Sequence, residues 1–289
     1  MLRIATLLTC HNRRDKTLSC LKALYTQVLD QPVQLSVYLV DDGSTDNTQE
    51  LVRQAFPEVH ILPGNGSLFW NRGMHLAFEA AMKQGYDYYL WLNDDTNLSS
   101  NALQSLLEAS NRRIESDYKH SIIVGSICDP QTGEFTYGGQ VRANRWHQLR
   151  CKNLLPNGSL QECHTMNGNC VLIPQDVAQI VGNLDPNFNH RYGDIDYGFR
   201  ARKLGCSIWI TSNYVGTCSG NTLPPLHERL KWKNLLQSPT GLPFNEHRRF
   251  AKKHTGMLWP LYAILPYLGL YLRLYLRLPD PAIMTSKNT

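Results

Sequence analysis

Four short apolar runs constrain this chain more than any other feature. They are Ile4–Leu8, Leu35–Val40, Val59–Leu62 and Tyr86–Leu92. Each is of strand length, and each is followed by a stretch with helical spacing. Leu18, Leu21, Leu24 and Tyr25 form a helical stripe that closes near Gln27. Ser44–Thr48 offers N-cap residues for a helix ending near Phe56, and Ser99 or Ser100 does so for one running through Arg113. Trp70–Gln84 reads as a further helix, with Gly85 as its C-terminal cap. Strict strand–helix alternation cannot pair neighbouring strands through tight hairpins. It predicts an α/β fold with a mostly parallel sheet and helices on both faces.

Beyond residue 120 the pattern loosens. Ser121–Cys128, Phe135–Tyr137, Cys170–Ile173 and Ser207–Thr211 read as strands, and a helix through Phe199–Leu204 is closed by Gly205. From Asn221 onward no strand pattern occurs, so residues 1–220 are expected to form the main domain and 221–289 a helical extension. Hydrophobic residues make up 42% of the 289 and charged residues 18%, a globular balance. The net charge of +5 comes without a nucleic-acid-binding module signature, so no nucleic-acid partner is expected. Eight cysteines show neither C-x-x-C nor paired zinc spacing, and reduced, mostly buried thiols are expected. Met1-Leu2-Arg3-Ile4 runs straight into a strand with no room for a signal peptide, so a cytoplasmic location is expected.

The chemistry gathers at strand ends. Asp41-Asp42-Gly43-Ser44 follows the second apolar run, and Asn93-Asp94-Asp95-Thr96 follows the fourth. Asp194-Ile195-Asp196 stands about a hundred residues later. Adjacent carboxylates at the end of a buried strand repel each other and need a cationic partner, and a divalent ion bridging to phosphate oxygens would serve. Gly64-Asn65-Gly66-Ser67 is a loop whose glycines let backbone approach a ligand closely.

In this order and spacing the motifs resemble those of a family 2 inverting glycosyltransferase of the GT-A fold. The matching pieces are Thr9-Cys10-His11-Asn12-Arg13, Asp41 to Asp46, Gly64 to Gly73, Asn93 to Thr96 and Tyr192 to Arg200. The pattern is most similar to rhamnosyltransferase-like enzymes of bacterial surface polysaccharide. The resemblance implies transfer of one hexosyl or deoxyhexosyl unit from a nucleotide-diphosphate sugar to a hydroxyl of a glycan or lipid-linked acceptor. It implies Mg²⁺ or Mn²⁺ as cofactor, with Asp95 as the metal ligand. Asp94 and Asn93 are placed beside it on the donor, and Asn93 stands where a strict D-x-D has its first carboxylate. Asp42 is implied as the nucleoside contact, flanked by Thr9, His11 and Asn12. Asn65, Gly66, Trp70 and Arg72 are implied on the sugar-phosphate portion. Asp194 takes the place of the family's base, with Gly193 where the companion Glu stands, and Asp196 that of an acceptor or positioning residue. Arg200 is spaced to pair with Asp196.

Two further departures accompany this likeness. Many relatives carry a His after the last strand that completes the metal site, whereas Tyr214 to Ser219 holds none, and His227 is the nearest downstream candidate. No Q-x-x-R-W follows the base (Arg145-Trp146 comes too early), which favours single addition over polymerisation. The tail combines basic His247–His254 with Met257–Leu272, which has no charge but includes Pro260 and Pro266. Peripheral contact at the inner face of a membrane, packing on the catalytic domain and packing in a homodimer are all open on that composition. A non-catalytic nucleotide-sugar or glycan binder and a sugar-phosphate nucleotidyltransferase are the alternative functions. The latter is expected to show a Gly-rich basic loop after the first strand, and His11-Asn12-Arg13-Arg14 has no glycine.

Overall fold

The computed structural model describes residues 1–143, 149–220 and 242–276. Two compact units emerge: Met1–Ala143 with Cys151–Gly220, and Asn144–Arg150 with Asn221–Thr289. His227, Arg145-Trp146 and the basic run Arg229–Lys233 lie outside the described residues.

In the first unit the alternation appears as β1 (Leu2–Cys10), α1 (Arg14–Tyr25), β2 (Val33–Asp41), α2 (Thr48–Ala55), β3 (His60–Pro63), α3 (Phe69–Met82), β4 (Tyr88–Leu92), β5 (Asn97–Leu98) and α4 (Ala102–Glu115). There follow β6 (Ser121–Cys128), β7 (Phe135–Tyr137), β8 (Gly139–Arg142), β9 (Cys151–Asn153), β10 (Gln161–Glu162), β11 (Thr165–Met166) and β12 (Cys170–Pro174). α5 (Gln175–Val181), α6 (Gly193–Lys203) and β13 (Ser207–Thr217) complete the unit. The main sheet runs β10-β13-β6-β12-β4-β1-β2-β3, with β5 on β13 and β7 on β6. β4-β1-β2-β3 are mutually parallel and so are β6 and β13, while β12 joins the two blocks antiparallel. A small sheet, β11-β8-β9, stands apart.

The period of two along each strand divides the core between the two faces. Ile4 and Leu8 of β1 face Leu21, Leu24, Leu103 and Leu106 in one cluster, while Ala5 and Leu7 join Phe78, Trp91 and Tyr197 in the other. Tyr197 of α6 is fully buried with its ring centroid 4.8 Å from that of Trp91, and Phe78 lies 6.0 Å from the same indole. This contact seats α6, the helix that carries Asp194, on the sheet. Truncating such a buried aromatic to Ala costs about 3–5 kcal/mol.

The cap of α2 falls within the expected Ser44–Thr48, whereas that of α4 falls one residue beyond Ser100. α2 starts from Asn47 at φ 62° and α4 from Asn101, and neither cap makes a side-chain cap hydrogen bond. Gly85 does take a left-handed φ of +65° after α3. All eight cysteines are free, and six are buried.

The second unit contains α7 (Phe244–His254), a 3₁₀ turn (Gly256–Leu258) and α8 (Trp259–Leu276). α7 and α8 pack through Phe244 on Tyr267, ring centroids 5.6 Å apart, and through His247 Nε2, 2.9 Å from the Tyr262 carbonyl oxygen. The Tyr267 hydroxyl donates to the Leu242 carbonyl at 2.8 Å. Among the described residues no helix is long and apolar enough to cross a membrane.

Candidate active site

Parallel register brings the carboxyl ends of β1, β2 and β4 together: Cys10 pairs with Asp41, and Leu7 with Trp91. In open parallel sheets ligands bind outside this end. All three acidic clusters converge around it.

At the end of β4 the adjacent carboxylates are bridged by one guanidinium. Arg13 donates to Asp94 Oδ1 and to Asp95 Oδ2, both at 2.8 Å, and Lys16 Nζ lies 3.8 Å from Asp95. Asp94 is buried, and burial pushes its pKa up to about 6, opposed by the Arg13 charge. Arg13 and Lys16 were not singled out from the sequence; the signal was the cation immediately after Asn12, ending the first motif. Asn93, in place of a third acid, accepts the Trp70 indole N–H at 2.7 Å.

Asp42 does something other than wait for a ligand. Its Oδ1 accepts the Gly66 N–H at 2.8 Å, and its Oδ2 accepts those of Leu68 and Phe69 at 2.9 and 3.0 Å. The carboxylate therefore shapes the 64–69 loop. A Cβ at Gly64 would lie 2.6 Å from Asp42 Oδ1, and Gly66 takes φ +82°. Asp41 accepts the Ser44 N–H at 2.9 Å. Asn65 turns inward on its own loop, accepting from Ser67 N–H and hydroxyl at 3.0 and 2.7 Å.

Asn12, at φ 51°, ties two loops: its N–H donates to Ser44 Oγ at 2.9 Å and its Oδ1 accepts the Thr45 N–H at 2.7 Å. His11 Nδ1 lies 2.7 Å from the Asp42 carbonyl and Nε2 3.3 Å from Asn12 Nδ2, which fits an Nδ1–H tautomer. Thr9 is covered by α3, where a Cβ at Gly73 would overlap its hydroxyl. Arg72 donates to the Pro186 carbonyl at 3.2 Å, so it braces the 184–190 loop. Phe69 is an addition: it opens α3 at φ +54°, a strained conformation for an aromatic residue, and is 42% exposed beside the Asp42-built loop.

The third cluster reaches the second through a short loop. Asp194 Oδ2 accepts the Gly168 N–H at 3.0 Å and Oδ1 the Ile195 N–H at 2.8 Å. The Trp70 ring covers Gly168 so closely that a Cβ there would overlap it, and the Asn169 carbonyl takes the Asn93 N–H at 2.9 Å. Residues 168–169 thus link Asp194 to the Asn93-Asp94-Asp95 strand end. Burial raises the Asp194 pKa to about 6 against the two N–H donors.

Of the acceptor and positioning roles expected for Asp196, its surroundings fit positioning. It is fully buried, and Arg200 Nε donates to it at 2.8 Å while the same guanidinium donates to the Val181 and Asn183 carbonyls. The expected i,i+4 pair is present, but it braces the scaffold. The Gly at 193 also has a reason: a Cβ there would overlap Asn71 Oδ1. Asn71 is held in place by donating to the Asp185 and Phe188 carbonyls at 2.8 and 2.7 Å, so a Glu cannot occupy position 193.

No group of three His, Cys, Asp or Glu side chains able to hold a metal occurs among the described residues. Cys218, within the stretch after the last strand that has no His, is buried beside Asp95, and burial and that carboxylate push its thiol up to about 12. The paired Asp94 and Asp95 already hold a cationic group, and their hard oxygens suit Mg²⁺ or Mn²⁺. Mg²⁺ takes one or two carboxylates and completes its shell with waters and substrate phosphates.

Known proteins resemble this chain in sequence and in fold. An uncharacterised Mycobacterium tuberculosis protein is 27% identical over 167 residues, covering 55% of this chain and 58% of its own. The chain thus spans little more than half the length of that relative. The N-acetylglucosaminyl-diphospho-decaprenol L-rhamnosyltransferase of M. tuberculosis is 25% identical over 213 residues, 64% of this chain and 66% of the enzyme. Among solved structures, Staphylococcus aureus TarS 1–349 in complex with UDP-GlcNAc superposes with a TM-score of 0.57 at 11% identity, covering 87% of this chain and 66% of that one. This likeness establishes a shared GT-A fold. The profile of Glycosyl transferase family 2 matches residues 6–178, which include the first two acidic clusters, and the chain belongs to that family.

Proposed function

We propose that this protein is an inverting glycosyltransferase that moves one sugar from a nucleotide-diphosphate donor to a hydroxyl of a glycan or lipid-linked acceptor in surface polysaccharide synthesis. The observation that carries the reading is the link from Asp194 through Gly168, Trp70 and Asn93 to the Asp94–Asp95 pair. It holds one carboxylate of raised pKa at a fixed place relative to a cation-binding pair. The name of the rhamnosyltransferase relative and the UDP-GlcNAc bound to TarS support a nucleotide-sugar donor.

In this reading the donor diphosphate lies over the ends of β1 and β4. Asp95, with Asp94, would hold Mg²⁺ or Mn²⁺, whose chemistry is to neutralise charge gathering on the departing diphosphate. Arg13 and Lys16 add cations at the same end. The loop that Asp42 organises presents Gly66 and Phe69 to the nucleoside or sugar. Asp194 accepts the proton of the acceptor hydroxyl as that oxygen attacks the anomeric carbon from the face opposite the leaving group. A base of pKa near 6 is ionised at neutral pH yet more basic than an ordinary carboxylate.

The test has two stages. Calorimetric titration with UDP, dTDP and GDP, each with Mg²⁺, Mn²⁺ or EDTA, identifies the nucleotide, and the matching sugar donors are then assayed for transfer. Asp194→Asn should retain donor binding and lose transfer by at least a hundredfold, on the order of a general base's contribution. Unchanged transfer would overturn the assignment of the base, and absence of any nucleotide binding would overturn the donor site.

A further inference from the structure

We infer that the second unit docks this protein on the surface of an anionic phospholipid bilayer, with α8 lying in the interfacial plane. This is independent of the sugar chemistry and rests on three observations within that unit.

The first is an uncovered apolar face. Leu261, Ile264, Leu265, Leu268, Leu272 and Leu276 of α8 are each 45% to 58% exposed. At 100° per residue they fall on one arc of about 120°. Met257, just before α8, is 97% exposed. The opposite side of α8 is occupied: Ala263 is buried, and Tyr262 and Tyr267 make the contacts to α7 and Leu242. A continuous stripe of large aliphatic side chains left in water marks an interaction surface.

The second is charge. Between Glu246 and Asp280 the sequence has six Lys or Arg and no Asp or Glu. Arg248, Arg249 and Lys252 of α7 line an open cavity of ≈590 Å³ with Asn245 and Trp259. Trp259 is also the first residue of α8, so the cationic cavity lies at the α7–α8 junction, at the same end of the helix as Met257 and Leu261. Amide, guanidinium and ammonium donors around an indole match a lipid phosphate at the level of the headgroups.

The third is length. α8 has 18 residues, about 27 Å at 1.5 Å each, and contains Pro266. Among the described residues no helix is long and apolar enough to span a membrane. An apolar stripe on α8, in a unit whose described charges are mostly cationic, suits a helix lying at the boundary of headgroups and acyl chains.

The test is flotation of the purified full chain with vesicles of phosphatidylcholine alone and of phosphatidylcholine with roughly a third phosphatidylglycerol. Binding to the anionic vesicles is expected, with several-fold loss in high salt. Each juxtamembrane cation strengthens attachment by about fivefold. Removing three therefore weakens it on the order of a hundredfold, and Arg248→Glu/Arg249→Glu/Lys252→Glu should abolish flotation. Leu261→Asp/Leu268→Asp should do the same. Both sets are at exposed or cavity-lining positions and should keep the wild-type circular dichroism and melting curve. A third variant, Leu204→Asp, alters an exposed leucine of the first unit and should float like wild type. Failure of wild type to float, equal binding to neutral vesicles, or flotation unaffected by both sets of substitutions would overturn the inference. So would a wild-type dimer that Leu261→Asp/Leu268→Asp dissociates while vesicles capture nothing, since a second copy would then cover the stripe.

Discussion

Removing the Arg13 charge is the sharpest test of how the paired carboxylates are tolerated. Arg13→Met keeps most of the aliphatic stem and deletes both hydrogen bonds, to Asp94 and Asp95, each 2.8 Å long. Hydrogen bonds to charged groups are worth about 1.5–3 kcal/mol each. The Arg13 side chain is 39% exposed, which calls for a discount of about half for solvent screening. The expected destabilisation of the apo protein at pH 7 is then about 1.5–3 kcal/mol. The pH dependence identifies the partner. Burial raises Asp94 from the ordinary carboxylate range to about 6, so near pH 5 it is largely protonated in the native state and the guanidinium gains little from it. Arg13's stabilisation through Asp94 is thus present above pH 6 and lost as pH falls through that value, leaving about 1 kcal/mol from the Asp95 arm. Urea unfolding in EDTA, followed by tryptophan fluorescence, reads this directly. With a slope of about 3 kcal/mol/M for a chain of this size, the midpoint should drop by about 0.5–1 M at pH 7 and by about 0.3 M at pH 5. Equal shifts at both pH values, or less than 0.3 M at pH 7, would refute the view that Arg13 offsets a buried Asp94 charge.

Three other outcomes follow from the site. Asp42→Asn puts an NH₂ against N–H groups of the 64–69 loop, so it should cost about 1–3 kcal/mol as well as donor affinity; lost affinity at unchanged stability would instead make Asp42 a direct ligand contact. Gly193→Ala should destabilise by about 1–3 kcal/mol through overlap with Asn71, and a double-mutant cycle with Asn71→Ala should show coupling of at least 1 kcal/mol; additive effects would remove that clash as the reason for glycine. With Asp194 raised to about 6, kcat/KM for transfer should be flat above pH 7 and fall tenfold per pH unit below 6, because the base acts only when ionised; a profile flat down to pH 5 would exclude it.

The fold was legible wherever burial was strong. Apolar runs marked β1, β2, β4, β6 and β12 because both faces of those strands are covered, and their ends needed adjustment by only a few residues. The seven-residue α5 escaped notice because it begins immediately after Pro174 and is too short to show a period. β8 to β11 are two to four residues long, and several of their side chains are half-exposed, so no alternation could form. The acidic clusters were visible because charge beside an apolar run is costly. Their partners were not, since Arg13 meets Asp94 across 81 positions and Asp194 meets Gly168 across 26. The choice between the two roles expected for Asp196 was open to geometry alone. Residues i and i+2 on a helix point about 200° apart, so if Asp194 at the start of α6 serves the cleft, Asp196 must face the protein. Its spacing to Arg200 pointed the same way.

The acidic residues at this end of the sheet also separate by what satisfies them. Asp42 is met by three backbone N–H groups, and Asp196 by a buried guanidinium that holds two carbonyls besides. These arrangements serve the fold, because each carboxylate fixes a loop that would otherwise leave buried donors or acceptors unpaired. At Asp94 and Asp194 burial outweighs the donors supplied, and both carboxyls are pushed up to about 6. A protein gains nothing in stability from keeping such groups, and perturbed carboxylates held at one cleft are what acid–base and ion-binding chemistry requires. The two also differ in a way that divides labour. Asp94 is offset by a partly exposed side-chain cation that a ligand could displace or share, whereas Asp194 is fixed by two backbone amides that cannot leave. The first arrangement suits a site that exchanges charge with an arriving diphosphate, and the second suits a base whose position must not change between one acceptor and the next.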